Sequence, residues 1–309
     1  MSPARNKRSK GGMAFRLTDR DMAIIRAVNR YRYLRSGQIN RLFFPENTSK
    51  QSCQKRLKYL FHNGYLDRIF PYVQLGAQDA GASSDVAYRL DKQGVTYLED
   101  SGEDVVFPTR KRRVRHEFLQ HALDLSEFRV CLELGLEALP GYQLRLFVPD
   151  FLQKEGATGL TGLKRYRLYD EIRDPATGEM VVFYPDAMMV LEATAAEARR
   201  LYFVEIDRGT EGLQTIRRKI RAYQLYARNK LFAKFGKFQN FAVLFQTSSE
   251  RRAANMVKLA AEMDFGLQLL VTHAAVVTEQ TLLTAPIWSR SEGEPISLIK
   301  PQVLLEEKA

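Results

Sequence analysis

Cysteine and histidine are scarce in this chain. Cys53 and Cys131 are its two cysteines, far apart in the sequence, so there is no metal-ligand spacing and no disulfide framework. The four histidines, His62, His116, His121 and His273, are too scattered for a zinc signature. Long apolar runs are missing too. No stretch approaches the ~20 residues that a membrane-spanning helix needs. The basic start, MSPARNKRSKGG, is not followed by the apolar segment of a signal peptide. These absences point to a reducing compartment, and the expected location is the cytoplasm. What is plentiful is positive charge. The 309 residues carry a formal net charge of +11, and its distribution is uneven. Residues 1–116 hold 23 Lys+Arg against 11 Asp+Glu, and the remainder 24 against 25. A basic module joined to a near-neutral one implies a nucleic-acid partner for the first.

The apolar periodicity divides the chain into five segments. Residues 1–15 form a basic tail, expected to be disordered. Residues 16–100 begin with a helix capped by Thr18, whose inward face is Ile24, Ile25, Val28 and Tyr31. A short helix follows from Ser36. A third runs from about Thr48 to His62, with Cys53, Leu57, Leu60 and Phe61 facing inward together. Asn63-Gly64 ends it, and two strands flank a Gly/Ala/Ser-rich tip at 76–84. Three helices and a β-hairpin resemble the winged helix-turn-helix arrangement. That resemblance implies that the third helix enters the major groove of double-stranded DNA. Lys50, Gln51, Gln54, Lys55 and Lys58 occupy its outer surface and are the expected DNA contacts. Residues 101–115 form a linker whose Arg110, Lys111, Arg112, Arg113 and Arg115 make a candidate phosphate clamp.

Residues 116–288 read as a second domain, and 289–309 as an irregular C-terminal tail. A long helix opens the second domain, and short apolar strands then alternate with helices. This is the pattern of an α/β layered fold with a central mixed sheet, so the chain overall is α+β. Asp186 follows Pro185 directly before an apolar strand. Glu205 and Asp207 lie on the next strand, and a helix carrying Lys219, Tyr223 and Tyr226 along one face comes after it. Carboxylates at the ends of adjacent strands are the donors a divalent cation takes for phosphodiester cleavage. A second Pro-Asp step, Pro149-Asp150, is an alternative first acid. Arg208 is a candidate for stabilising phosphate charge, and His121 a candidate to line the site.

The order of these elements resembles the PD-(D/E)xK nuclease core, a restriction-endonuclease-like fold. The resemblance implies Mg²⁺ held by Asp186 and Glu205, with Asp207 as a further ligand. Asp207 stands where that family has its lysine, and in some members the lysine moves to the following helix, here Lys219. The catalytic set implied is therefore Asp186, Glu205, Asp207 and Lys219. An internal ion-pair network of the same residues is the competing reading.

LTDRDMAIIRAV, CQKRLKYLFHNGYLDRI, YPDAMMVLE and YFVEIDRGTEGLQTIRRKIRAY together resemble the replication-relaxation family over about residues 16–288. This implies a DNA-binding accessory protein of a plasmid or other mobile element, acting in replication, mobilisation or DNA relaxation. Its partners would be replication, relaxosome or mobile-element proteins, and a homodimer stays open. The rivals are a Mg²⁺-dependent endonuclease or nickase and a winged-helix transcriptional regulator.

Overall fold

The computed structural model describes residues 8–9, 12–44, 50–70, 86–106, 114–263 and 268–299. The chain divides into two compact units, Met1–Val130 and Cys131–Ala309.

In the first unit, α1 (Asp19–Tyr31) is followed by β1 (Leu34–Arg35), α2 (Ser36–Phe43) and α3 (Lys50–His62). Next come β2 (Leu66–Ile69), β3 (Ala87–Leu90), α4 (Lys92–Asp100) and α5 (His116–Glu137). Thr18 and Asp21 cap α1 reciprocally, the Thr18 N–H donating to Asp21 Oδ2 at 2.8 Å. Asp21 is fully buried because it also takes Arg56 of α3, whose Nε donates at 2.9 Å. One carboxylate thus closes the first turn of α1 and fastens α3 to it.

The expected inward face of α3 is realised. Cys53, Leu57, Leu60 and Phe61 are all buried. The helix ends as the Asn63-Gly64 pair requires. Gly64 has φ +77°, and the Gly64 and Tyr65 N–H groups donate to Phe61 and Leu60 carbonyls. The sheet runs β1-β3-β2, antiparallel throughout, with Leu34 opposite Tyr88 and Leu66 opposite Leu90. β1 has no counterpart in the sequence reading, since two residues carry no periodicity. The tip at 76–84 lies outside the described residues, as do most of the N-terminal tail and Thr48. Of the tail, Arg8 donates to the Phe61 carbonyl at 2.8 Å and pairs with Asp91.

The long helix α5 was expected to open the second domain at 116. Its first fifteen residues instead pack within the first unit. Ser126 Oγ donates to the Tyr33 carbonyl at 2.8 Å, and Gln38 Nε2 to Glu127 Oε2 at 2.9 Å. Leu119 and Leu123 join Tyr33 and Ala87 in one apolar cluster. From Phe128 to Leu132 every residue is buried, so the helix has no single wet face to mark its side. Cys131, the first residue of the second unit, is among them.

The second unit holds β4 (Tyr142–Pro149), β5 (Asp170–Arg173), β6 (Met180–Phe183), β7 (Ala187–Ala193) and β8 (Ala198–Asp207). These are followed by α6 (Leu213–Arg228), β9 (Phe241–Thr247), α7 (Glu250–Glu262) and β10 (Gln268–His273). The five-stranded sheet runs β10-β9-β8-β7-β4 and is mixed, as expected. β8, β9 and β10 are parallel; β7 is antiparallel to both β8 and β4. The parallel steps need crossovers, and α6 and α7 supply them. Ile216, Ile220 and Tyr223 of α6 and Met256 and Leu259 of α7 cover Leu201, Phe203, Val243 and Phe245 in one core. β7 and β9 are buried on both faces, hence their apolar runs Ala187–Leu191 and Phe241–Phe245. β5 and β6 form a separate hairpin.

Beyond 288 the chain is not irregular at first. Ser289 bridges Val271, Ile296 bridges Trp288, and the Trp288 indole donates to the Leu282 carbonyl at 2.9 Å. Among the described residues no helix is long and apolar enough to cross a membrane.

Candidate functional site at one edge of the sheet

The sheet register brings the functional candidates of the second unit to one edge. β8, β9 and β10 end there at Asp207, Thr247 and His273, which are successive cross-strand partners. The antiparallel β7 starts there, just after Asp186, and β4 ends there just before Asp150. The Asp150 N–H donates to the Asp186 carbonyl at 2.8 Å, so both Pro-Asp steps meet at this edge.

Glu205 is the centre of the cluster and is 2% exposed. Its two oxygens are separately engaged. Lys219 Nζ lies 2.9 Å from Oε2, and Tyr223 OH donates to Oε1 at 2.7 Å. Both partners come from α6, where the four-residue spacing puts them one above the other. Lys219 also reaches Glu211 Oε2 at 3.1 Å. Asp186 Oδ2 accepts the Ile206 N–H at 2.7 Å, which places this acid beside Glu205 across the β7–β8 pair.

The electrostatics follow from this geometry. Burial pushes the Glu205 carboxyl up; Lys219 and the Tyr223 hydroxyl work against that, and Asp186 adds to it, leaving it at about 7. Burial alone would lower Lys219, but the carboxylates of Glu205, Asp186 and Glu211 outweigh it and hold the ammonium well above its ordinary range. Burial and Glu205 keep the Tyr223 phenol protonated far above its usual range. The cluster therefore contains a permanent cation, a permanent donor and a carboxyl that exchanges its proton near neutrality.

Asp207 lies on the same strand face as Glu205 but has a different partner. Arg252 of α7 grips it with Nε and with Nη2, the latter at 2.8 Å. The Gly209 N–H donates to it at 3.2 Å. Arg252 Nη2 also donates to the Glu211 carbonyl at 2.6 Å. Glu211 thus touches Lys219 with its carboxylate and Arg252 with its backbone.

Asp186, Glu205 and Lys219 are brought together. Asp207 is separated from them by Arg252. In this arrangement Glu205 and Asp207 each spend both oxygens on protein donors and Asp186 gives Oδ2 to the Ile206 N–H, so a Mg²⁺ ion would have to displace those donors. Among the described residues no group of three or more His, Cys, Asp or Glu side chains is placed to hold a metal.

Tyr226 turns away and stacks on Phe183 with ring centroids 3.7 Å apart. His121 lies on α5 within the first unit. Arg208 is half-buried. The sequence reading missed Arg252 and Glu211, which carry no motif of their own; their partners are fixed only by the fold.

The candidate nucleic-acid surface is on α3. Lys50, Gln51, Gln54, Lys55 and Lys58 are all exposed, opposite the buried face. Arg56, between them in sequence, is withdrawn to Asp21. Arg115 is exposed; Arg110, Lys111, Arg112 and Arg113 lie outside the described residues.

Comparison with curated proteins gives no match. Among solved structures, restriction endonuclease FokI bound to DNA is similar over 85% of this chain and 45% of that one, at 12% identity and a TM-score of 0.28. That likeness is too weak to bear on fold or function. The family model described as "Replication-relaxation" matches residues 25–240. The match runs from Ile25 in α1 to Asn240 before β9, and so takes in α3, Asp186, Glu205 and Lys219. By this match over most of its length, the chain belongs to the replication-relaxation family.

Proposed function

We propose that this protein is a DNA-binding accessory factor of a plasmid or other mobile element. It acts in replication, mobilisation or relaxation of that element's DNA, in the cytoplasm and with the element's own replication or relaxosome proteins. Its first unit works as a winged helix, with α3 lying in the major groove of duplex DNA. The observation that carries this reading is the division of α3 into two faces. One is wholly buried; the other presents Lys50, Gln51, Gln54, Lys55 and Lys58 to solvent. Lysines there meet phosphates, and glutamines reach base edges. In the second unit, the Tyr223 hydroxyl occupies one oxygen of Glu205 and Arg252 grips Asp207, two of the acids that a nuclease would give to metal. This favours a binding role over a cutting one.

A titration of duplex DNA at 50–200 mM salt tests the reading. K55A/K58A should lower the slope of log affinity against log salt by about 2, one unit per lost phosphate contact. An unchanged slope removes α3 from the interface. The second reading, a Mg²⁺-dependent nickase, is favoured by one observation: Lys219 reaches Glu205 beside Asp186, the constellation that the nuclease resemblance implies. Supercoiled plasmid incubated with Mg²⁺ or Mn²⁺ should stay intact under the accessory reading. Nicking that disappears in D186A would establish the nickase instead.

A further inference from the structure

Residues 153–166 are a loop without long secondary structure, yet their conformation is tightly specified. Gln153 bridges Tyr166, the Lys154 N–H donates to the Arg165 carbonyl at 2.8 Å, and the Arg167 N–H donates to the Leu152 carbonyl at 2.9 Å. The two ends are therefore tied together, which makes the segment an Ω-type loop. Ordered loops of this length are commonly functional. Inside it the sequence repeats Thr-Gly-Leu twice, as Thr158-Gly159-Leu160 and Thr161-Gly162-Leu163. Gly159 and Gly162 have φ +92° and +59°, turns that L-residues rarely adopt. Each turn hands the next leucine to solvent: Leu160 is 42% and Leu163 45% exposed.

Two exposed leucines three residues apart on one loop offer an apolar contact whose partner the surrounding charge can indicate. Residues 153–167 carry Lys154, Lys164, Arg165 and Arg167 against a single acid, Glu155, although Lys164, itself largely exposed, also reaches Glu171 at 3.3 Å. The loop also sits at the acidic edge of the sheet. Tyr166 stacks on Tyr184 at 5.9 Å, and Tyr184 OH donates to the Asp150 carbonyl at 2.9 Å. Asp150 in turn donates its N–H to Asp186. Cations flanking two exposed aliphatic side chains are the makings of a groove wedge, in which aliphatic side chains enter between base steps while basic neighbours hold the phosphates.

We propose that the 153–166 loop is a wedge for duplex DNA, in which Leu160 and Leu163 enter the minor groove and part a base step while Lys164 and Arg167 contact the flanking phosphates. The wedge rests on the reading of this chain as a duplex-DNA binder, and it gives the second unit its own contact with that DNA. Parting a step unwinds the helix locally, a change that suits a protein whose element must open its duplex.

The test is made with the full-length protein and nicked plasmid sealed by ligase in its presence, reading the topoisomer distribution. The wild type should shift the linking number in proportion to bound protein. L160A/L163A should lose the shift while its duplex affinity by anisotropy falls no more than a fewfold. L160M/L163M, which keeps the apolar volume, should retain it. K55A/K58A should bind more weakly but give the full shift at saturation, which separates the wedge from α3. A wild-type protein that binds without shifting the linking number overturns the wedge and leaves DNA binding standing. A full shift in L160A/L163A overturns it as well. So does a change of oligomeric state in L160A/L163A with its DNA behaviour intact, since the leucines would then face another protein. Failure of the wild type to bind any duplex overturns both proposals.

Discussion

Replacing Lys219 with methionine is expected to destabilise the protein by about 3–5 kcal/mol at pH 8 and by much less at pH 5. The difference comes from Glu205. Its carboxyl is raised by burial to about 7 in the folded state, against 4.5 for the unperturbed group. The folded state therefore holds this proton more tightly than the unfolded chain does. The stability this provides is fully present below about pH 4.5, declines as pH rises toward 7 and is gone above it, a change on the order of 3 kcal/mol. Lys219 keeps the ionised form tolerable at the alkaline end. Its own raised ionisation lies far outside this window, so it is charged at both pH values. Without it, an ionised Glu205 is left 2% exposed beside Asp186 with only the Tyr223 hydroxyl. At pH 5 the carboxyl is already neutral and loses little. Urea midpoints of K219M and wild type at the two pH values measure this. E205Q, an isostere without charge, should flatten the pH dependence between 5 and 8. Equal losses for K219M at both pH values, or a wild-type slope in E205Q, would show that Glu205 is not the titrating group.

R56M should cost the first unit about 3–5 kcal/mol, because it strands Asp21, which is fully buried. Burial tends to raise the Asp21 carboxyl, but the Arg56 and Thr18 hydrogen bonds win, and it lies below its ordinary value. The sign is thus opposite to that of Glu205. The stability from Asp21 is present above pH 4 or so, near the ordinary carboxylate range, and is lost as pH falls through the depressed folded value. R56M should remove that acid limb along with the stability. Arg56 stands among the exposed lysines of α3 in sequence, yet its guanidinium points into the fold. Once folded, R56M should therefore keep the salt slope of DNA binding that K55A/K58A loses. A reduced slope in stable, folded R56M would move Arg56 into the interface. Thermal melts at pH 3.5 and 7 and a salt titration complete the comparison.

The sequence was most legible where one local rule decided the outcome. Cys53, Leu57, Leu60 and Phe61 share a helix face by spacing alone, and all four are buried. Lys219 and Tyr223 share a face by the same rule, and both bind Glu205. The apolar cores of β7, β8 and β9 marked the strands; the polar Ala198–Arg200 start of β8 did not, because its exposed residues lack the pattern. Asp207 was misleading for a physical reason. Its two-residue spacing from Glu205 correctly put both acids on one strand face, but a face is wider than one helix. α6 covers Glu205 while α7 brings Arg252 to Asp207, and Arg252 is 45 residues away in sequence. Spacing along a strand cannot reveal which helix will lie over which residue. The division of α5 escaped for a similar reason: a helix buried on nearly every side does not announce its partners.

The two cysteines have a practical consequence. Cys53 lies on the buried face of α3 and Cys131 within α5, one in each unit, and each is 1% exposed. A thiol so enclosed reacts with a labelling reagent only when its surroundings open. The chain therefore carries one chemical clock per unit, and the C53S and C131S variants isolate each in turn. Modification of Cys53 would time the opening of the buried face of α3, and if α3 binds duplex as proposed, bound duplex should slow it. Modification of Cys131 would run at its own pace unless the second unit also holds that duplex.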